Sequence, residues 1–299
     1  MSHHAKHLVL VLTFMLILPL ACRASEADQG HPAKDGKGPA ILLVTFGTSV
    51  PSAQAAFATI DKQVRAAFPQ AEVRWAYTSK IIRKKLAKNG TVIDSPEMAM
   101  VRLMEDGYTQ VAVQSLHMIP GAEFHEIHNN TKLFGQMAGG FAKVMVSPPL
   151  LVSDAAMDQV ISAVSAQIVP KERRAEEAVV LMGHGTHHPS DAIYSALMYK
   201  MQQRDANMYI GTVEGHPTFA EVKAMLERKK IKKAYLIPFM TVAGDHALND
   251  MAGEEPDSWK SQLAQAGIES VPVLKGLAEF DSIVALWIDN LKAVMNQMQ

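Results

Sequence analysis

The sequence has little cysteine and no excess of charge of either sign. Its one cysteine, Cys22, lies near the beginning, so a protein cleaved after it has no disulfide and no thiolate ligand. A metal site in such a protein must use imidazole, carboxylate or water, which suit Zn, Co, Ni or Fe. The 29 Lys and Arg residues nearly balance the 30 Asp and Glu residues. This balance argues against nucleic acid as a partner.

Long apolar runs are also scarce. The apolar run over residues 8–20 follows the histidine-rich string "MSHHAKH" and is shorter than a membrane span, but it fits the core of a signal peptide. Small residues follow in "ACRASEA", so we expect a signal peptide over 1–27, a flexible lead-in over 28–39 and a periplasmic protein. The string "PLAC" is an imperfect lipoprotein box, so lipid attachment to the membrane at Cys22 is the alternative.

Beyond the lead-in, strand-like and helical stretches alternate, which is typical of an α/β protein. Strands are predicted at 40–46, 72–77, 110–116, 178–183, 208–213 and 233–239, with weaker candidates at 143–147 and 270–274. The predicted helices include the stretches at 51–68, 80–88, 95–106, 153–168, 190–204, 217–229, 256–266 and 279–297. Because the strands are apolar throughout, we expect parallel sheets covered on both faces.

Two segments of the first half recur in the second half in the same order. The pairs are "LVTFGTSVPSA" (43–53) with "LMGHGTHHPSDA" (181–192), and "VQSLHMIPGAE" (113–123) with "LIPFMTVAGDH" (236–246). The repeat predicts two related α/β halves, over 40–150 and 151–299, that face each other across a central cleft.

Three ionisable residues of the second half follow the ends of predicted strands. His184 lies between two glycines after one strand, Glu214 follows the next, and His246 follows a third after a short glycine loop. In open parallel sheets, ligands bind beyond the carboxyl ends of the strands, so these side chains can converge. Two imidazoles and one carboxylate would form a divalent-metal site with open coordination positions.

Each of these residues has a purely structural alternative. The imidazole of His184 could simply bond to the backbone of a turn, and His246 could form a surface ion pair with the aspartate before it. Glu214 could be a carboxylate that favours the start of a helix. His188 and His216 compete as metal ligands, although both lie further into the helices that follow.

Several strings resemble the anaerobic cobaltochelatases of cobalamin synthesis, which insert cobalt into sirohydrochlorin. These are "GHGTHHPSDA", "VEGHP" and above all "GDHALNDMAGEEPDSWK", with "TFGTS", "YTSKIIRKKL" and "LHMIPGAEFHEI" in the first half. The resemblance runs from about residue 40 to the carboxyl terminus. That family belongs with the ferrochelatase-like chelatases, so the resemblance implies two flavodoxin-like (Rossmann-like) halves around a tetrapyrrole cleft.

The resemblance implies that His184, Glu214 and His246 are the catalytic and metal-handling residues of a lyase that inserts Co(II), or alternatively Fe(II), into sirohydrochlorin. The expected partners are this tetrapyrrole and a divalent metal ion, and the oligomeric state stays open, with a homo-oligomer as one option. A signal peptide is unexpected in this family, because cobalamin synthesis is cytoplasmic. Two alternatives therefore remain, an exported metal or tetrapyrrole carrier without turnover and a zinc hydrolase, although no HExxH motif supports the latter.

The repeat and the resemblance together suggest substrate contacts in the first half. Phe46 occupies the place of His184 and would contact the ring face or pack in the core. Glu123 occupies the place of His246, with His117 nearby on the same segment.

Two further groups are candidates for binding. Sirohydrochlorin carries many carboxylates, and Arg83 could form a forked pair with one of them or lie on a solvated helix face. His125 and His128 are three residues apart on a predicted helix and so share a face. They could bind haem or an extra metal, or be incidental residues of a surface helix.

Overall fold

The computed structural model describes residues 36–299. The predicted signal peptide, Cys22 and nearly all of the lead-in lie outside these residues. Over the described range, the search for a helix with the length and apolar character to cross a bilayer finds none.

Two four-stranded parallel sheets form the centre of the fold. The first contains β1 (Ala40–Thr45), β2 (Glu72–Tyr77), β3 (Gln110–Ser115) and β4 (Lys143–Ser147) in the order β2-β1-β3-β4. The second contains β5 (Ala178–Gly183), β6 (Met208–Thr212), β7 (Lys233–Pro238) and β8 (Glu269–Pro272) in the order β6-β5-β7-β8. The second sheet thus repeats the first, which confirms the α/β class and the repeat. The two weaker strand candidates are the edge strands β4 and β8.

The helices follow the predicted pattern closely. They are α1 (Pro51–Ala67), α2 (Lys80–Lys88), α3 (Pro96–Glu105), α4 (Ala122–Gln136), α5 (Asp154–Ala163), α6 (Ala192–Arg204), α7 (Phe219–Arg228), α8 (Trp259–Gln265) and α9 (Asp281–Met298). A hydroxyl fixes the start of several: Thr218 accepts from the backbone N–H of Glu221, and Ser258 does the same at α8. These caps explain why α7 and α8 begin later than predicted.

One apolar core is shared by the two halves. Ile41 and Leu43 of β1 and Val179 and Leu181 of β5 all belong to it, together with buried residues of α1, α5, α6 and α9. The alternate residues of the same strands face two outer cores, one under α3 and α4 and one under α7 and α8. Because both faces of each strand are covered, the strands are apolar throughout.

The last helix returns to the first sheet. α9 packs against β3 and β4. The side chain of Gln63 on α1 donates to Asp281 at 2.8 Å, and Asn290 donates to the carbonyl of Pro148 at 3.3 Å. The domain boundary predicted at residue 150 lies between the two sheets in sequence and stays a prediction, but the chain beyond it supplies a helix that covers the first sheet.

Candidate active site

The loops after β5 and β6 lie directly against each other. Gly185 has a φ of +81°, and a Cβ on it would come within 2.5 Å of the backbone nitrogen of Gly215. Glycine is therefore required there both for the backbone conformation and for the close approach. The backbone N–H of Glu214 donates to the carbonyl of His184 at 2.8 Å. This contact sets the backbones of the two predicted ligands side by side.

His184 and His246 come together at the ends of β5 and β7. Their ring centroids are 5.0 Å apart, and the rings are nearly perpendicular, at 83°. The Nδ1 atom of His184 lies 3.0 Å from the carbonyl oxygen of Gly185, and that of His246 lies 2.5 Å from a carboxylate oxygen of Asp250.

An oxygen acceptor beside Nδ1 places the imidazole proton on that nitrogen. The Nε2 lone pair of each ring is then available. Metal-binding histidines are commonly oriented by such an acceptor on the other ring nitrogen. The local hydrogen bonds therefore prepare His184 and His246 as two Nε2 donors next to each other.

Glu214 joins this pair through its backbone only. Its side chain is exposed. Across residues 36–299, no three His, Cys, Asp or Glu side chains stand close enough to hold a metal ion as they are. The ligand set His184, Glu214 and His246 stays a prediction, and Glu214 must move to complete it.

The first half contributes a hydrogen-bonded pair, His117 and Glu123. The Nε2 atom of His117 lies 2.8 Å from a carboxylate oxygen of Glu123, and the hydroxyl of Thr78 donates to that same oxygen at 3.1 Å. On the other side of the ring, Nδ1 of His117 lies 3.0 Å from the buried hydroxyl of Ser115. The carboxyl is thus held by two neighbours at the amino end of α4.

These contacts set the charge of Glu123. Burial raises the pKa of its carboxyl, but the hydrogen bonds from His117 and Thr78 and the nearby imidazole of His184 outweigh burial, and the pKa lies below its usual value. Glu123 is therefore ionised at neutral pH. It provides a carboxylate in the first half, close to His184 of the second.

Phe46 and Arg83 are the two further candidate substrate contacts of the first half. Phe46 is 46% exposed, and its ring centroid lies 6.5 Å from that of His184. Arg83 lies on α2, and its buried Nε atom has no hydrogen-bond partner anywhere in residues 36–299. The roles of both side chains in substrate binding stay predictions.

The comparisons with known proteins fit this arrangement. A family model described as cobalt chelatase (CbiK) matches residues 39–296. The chain belongs to the CbiK family. It is 38% identical over 274 residues to the sirohydrochlorin cobaltochelatase CbiKC of Nitratidesulfovibrio vulgaris, covering 92% of this chain and 96% of that protein. It is 35% identical over 259 residues to the sirohydrochlorin cobaltochelatase of Salmonella typhimurium, covering 86% of this chain and 96% of that protein.

Solved structures support the fold of this CbiK-family chain. SirB from Bacillus subtilis with Fe3+ matches with a TM-score of 0.61 at 17% identity, covering 87% of this chain and 98% of SirB. The sirohydrochlorin chelatase SirB of Bacillus subtilis subspecies spizizenii, in complex with cobalt, matches with a TM-score of 0.58 at 14% identity, covering 87% and 96%. At such identities the likeness concerns the fold, and it confirms the repeated chelatase architecture.

The competing histidines of the CbiK-family chain have other surroundings. Nδ1 of His188 accepts from the backbone N–H of Ser190 at 3.2 Å, so this ring caps a short helical turn, and its centroid is 5.2 Å from that of His125. His216 is exposed. His125 and His128 lie one turn apart on the exposed side of α4, and binding of haem or an extra metal there stays a prediction.

Sequence reasoning missed the residues that orient the candidate ligands. One is Asp250, which holds His246, although its spacing of four residues from His246 on one helical turn was a usable signal. Ser115, two residues before His117, gave no sequence signal, because serine is common at the ends of strands. Asp191, whose carboxylate accepts backbone N–H groups from the loops that follow His184 and Glu214, was missed as well.

Proposed function

We propose that this protein inserts Co(II) into sirohydrochlorin. The observation that carries the proposal is the orientation of His184 and His246, which leaves two adjacent Nε2 lone pairs available to a divalent ion. The choice of metal and tetrapyrrole is supported by the names of the two relatives, both sirohydrochlorin cobaltochelatases.

In the second half, His184 and His246 bind the incoming ion through Nε2. The exposed carboxylate of Glu214, whose backbone is bonded to that of His184, turns inward and supplies the third ligand and a negative charge. Three protein ligands leave further coordination positions for water and then for pyrrole nitrogens. The ion can therefore pass from the protein to the macrocycle without losing all its ligands at once.

In the first half, the chemistry is proton removal. Insertion breaks two pyrrole N–H bonds while new bonds form between the metal and the pyrrole nitrogens, so two protons must leave. The ionised carboxylate of Glu123 accepts one of them and shares it with His117. The second goes to an imidazole, His184 or His246, whose Nε2 becomes free as the ion departs. Phe46 contacts the ring face, and Arg83 pairs with a peripheral carboxylate.

Imidazole and carboxylate donors do not select strongly among Fe(II), Co(II) and Ni(II), and the supply of each ion decides which is inserted. Periplasmic location, lipid attachment at Cys22, haem binding and a homo-oligomeric state remain predictions from the sequence.

The experiment is a metallation assay followed by absorption spectroscopy. Purified protein is mixed with excess sirohydrochlorin and Co(II), with Fe(II) and Ni(II) as competitors in parallel samples. Conversion of many equivalents per protein, faster than in protein-free buffer, is expected. Conversion or binding that stops at one equivalent identifies a carrier and contradicts the proposal, as does the absence of any spectral change.

A further inference from the structure

Asp191 connects the two loops that carry His184 and Glu214. It stands immediately before α6. One oxygen of its carboxylate accepts the backbone N–H of Thr186, in the loop after β5, at 3.0 Å. The other accepts the backbone N–H of His216, in the loop after β6, at 2.7 Å. Each oxygen therefore bonds to a different loop.

The helix does not need this carboxylate at its start. Asp191 has helical φ and ψ angles and ends a short helical turn, Pro189–Asp191, that runs directly into α6. The ring of His188 caps that turn by accepting the backbone N–H of Ser190. The carboxylate of Asp191 therefore has no capping role in its own helix and bonds to the two loops instead.

The space around the carboxylate is tightly filled. A Cβ on Gly215 would lie 2.2 Å from a carboxylate oxygen of Asp191. One turn into α6, the ring of Tyr194 covers Gly183, where a Cβ would come within 2.7 Å of it. The start of α6 thus contacts Gly183 and Thr186, close to His184, and Gly215 and His216, just after Glu214, so it links the two loops.

We propose that Asp191 is a positioning residue for metal transfer, one that fixes His184 and Glu214 at a separation from which both reach one ion. It binds neither the ion nor the tetrapyrrole. This inference rests on the proposed function, because it assigns a role within the same site.

The test uses the full-length variants Asp191→Asn and Asp191→Ala. Asparagine keeps one acceptor oxygen but turns an NH2 group toward the other backbone N–H, so one loop is released, whereas alanine releases both. We expect kcat/KM for Co(II) to fall about 10- to 100-fold, as for other residues that orient metal ligands, with the alanine variant more affected. The affinity for sirohydrochlorin, measured without metal by quenching of tryptophan fluorescence, stays at the wild-type value.

Asp205→Asn is the matched control. Asp205 lies just beyond the other end of α6, pairs with Arg173 and accepts the backbone N–H of Asn207 at 2.9 Å. Its loss should lower the melting temperature without changing Co(II) kinetics. If Asp191→Asn behaves like this control, Asp191 only stabilises the fold and the proposal is overturned.

A second readout separates this inference from the proposed function. Co(II) binding by the metal-free protein is followed through the visible absorption of the ion, with no tetrapyrrole present. Weaker binding by Asp191→Asn than by wild type supports the positioning role even if no turnover occurs, and equal binding contradicts it. Absence of metallation by the wild type contradicts the proposed function alone.

Discussion

The two halves have the same backbone and different chemistry. In the first half the backbone N–H of Ser79 donates to the carbonyl of Phe46 at 3.2 Å, and in the second the N–H of Glu214 donates to the carbonyl of His184 at 2.8 Å. Phe46 is therefore equivalent to His184, and Ser79 is equivalent to Glu214. Where the second half has an imidazole and a carboxylate, the first has a phenyl ring and a hydroxyl.

Ser79 and Glu214 form the second equivalent pair, and they differ because the loop before the next helix is longer in the second half. Ser79 is itself the cap of α2 and accepts from the backbone N–H of Ile82. In the second half, residues 215–217 are inserted before the cap, and Thr218 takes over the capping role. Glu214 is thereby released from helix capping and its carboxylate is available. A short insertion in a repeated fold is thus enough to free a side chain from a structural role.

Glu123 and His246 form a third equivalent pair, in which the acidic and the basic side chain are exchanged. Glu123 in the first half is held by an imidazole, that of His117, whereas His246 in the second half is held by a carboxylate, that of Asp250. The first arrangement favours an ionised acid that can take a proton, and the second orients an imidazole so that its Nε2 faces away from Asp250 and can bind a metal. In the proposed mechanism, the first half takes up a proton and the second half binds the metal.

The largest expected effect is the difference between alanine variants of the equivalent residues His184 and Phe46. His184→Ala removes a metal donor, so we expect metallation to fall by about 10³-fold or more with an unchanged circular dichroism spectrum. Phe46→Ala removes only a ring contact and should raise KM for sirohydrochlorin while most of kcat remains. Equal losses of kcat in the two variants would show that the halves do not differ as described.

The paired glycines Gly185 and Gly47 give a second comparison. Both have positive φ, +81° and +95°, so alanine at either should cost about 1–2 kcal/mol in the free energy of unfolding, measured with urea. A Cβ on Gly185 would press on the backbone beside Glu214, whereas one on Gly47 would press on the ring of Tyr77. We therefore expect only Gly185→Ala to lower Co(II) insertion as well. A comparable loss of insertion in Gly47→Ala would argue against a metal site confined to the second half.

The smallest expected effect concerns acid stability. The pKa of Glu123 lies below its ordinary value of 4.5, so its ionised form stabilises the fold above that pH, and this contribution is lost as the pH falls through the lower, folded-state pKa. Because the carboxyl is 40% exposed, the contribution should not exceed about 1 kcal/mol.

The check compares unfolding free energies of wild type and Glu123→Gln between pH 6 and pH 3. The gap between the two proteins should be constant near pH 6 and should shrink on acidification. Glu126→Gln, a change of an exposed carboxyl on the same helix, serves as the matched control. A gap that widens toward acid would mean that Glu123 is held in its protonated form.

The strands and the placement of the candidate residues could be predicted from the sequence. Apolar runs mark β1 and β5 because both faces of each strand are buried, and a polar residue directly after such a run must lie at the edge of the sheet, as His184 does. These are local rules, and they apply equally to both halves.

The partners of those residues could not be predicted in the same way. That His188 caps a turn while His184 keeps Nε2 free depends on which hydrogen-bonding atoms the tertiary fold brings near each ring. Likewise, nothing in the sequence around Asp191 shows whether its side chain caps a helix or links two loops. The return of α9 to the first sheet depends on packing across the whole chain rather than on any local pattern.

That return has a consequence for the order in which the protein is made. The ribosome produces β1 to β4 early, but α9, which packs against β3 and β4, is synthesised only after all eight strands of the two sheets. One apolar face of the first sheet therefore stays incomplete until α9 has been made. A nascent chain halted before residue 281 would expose that face to chaperones.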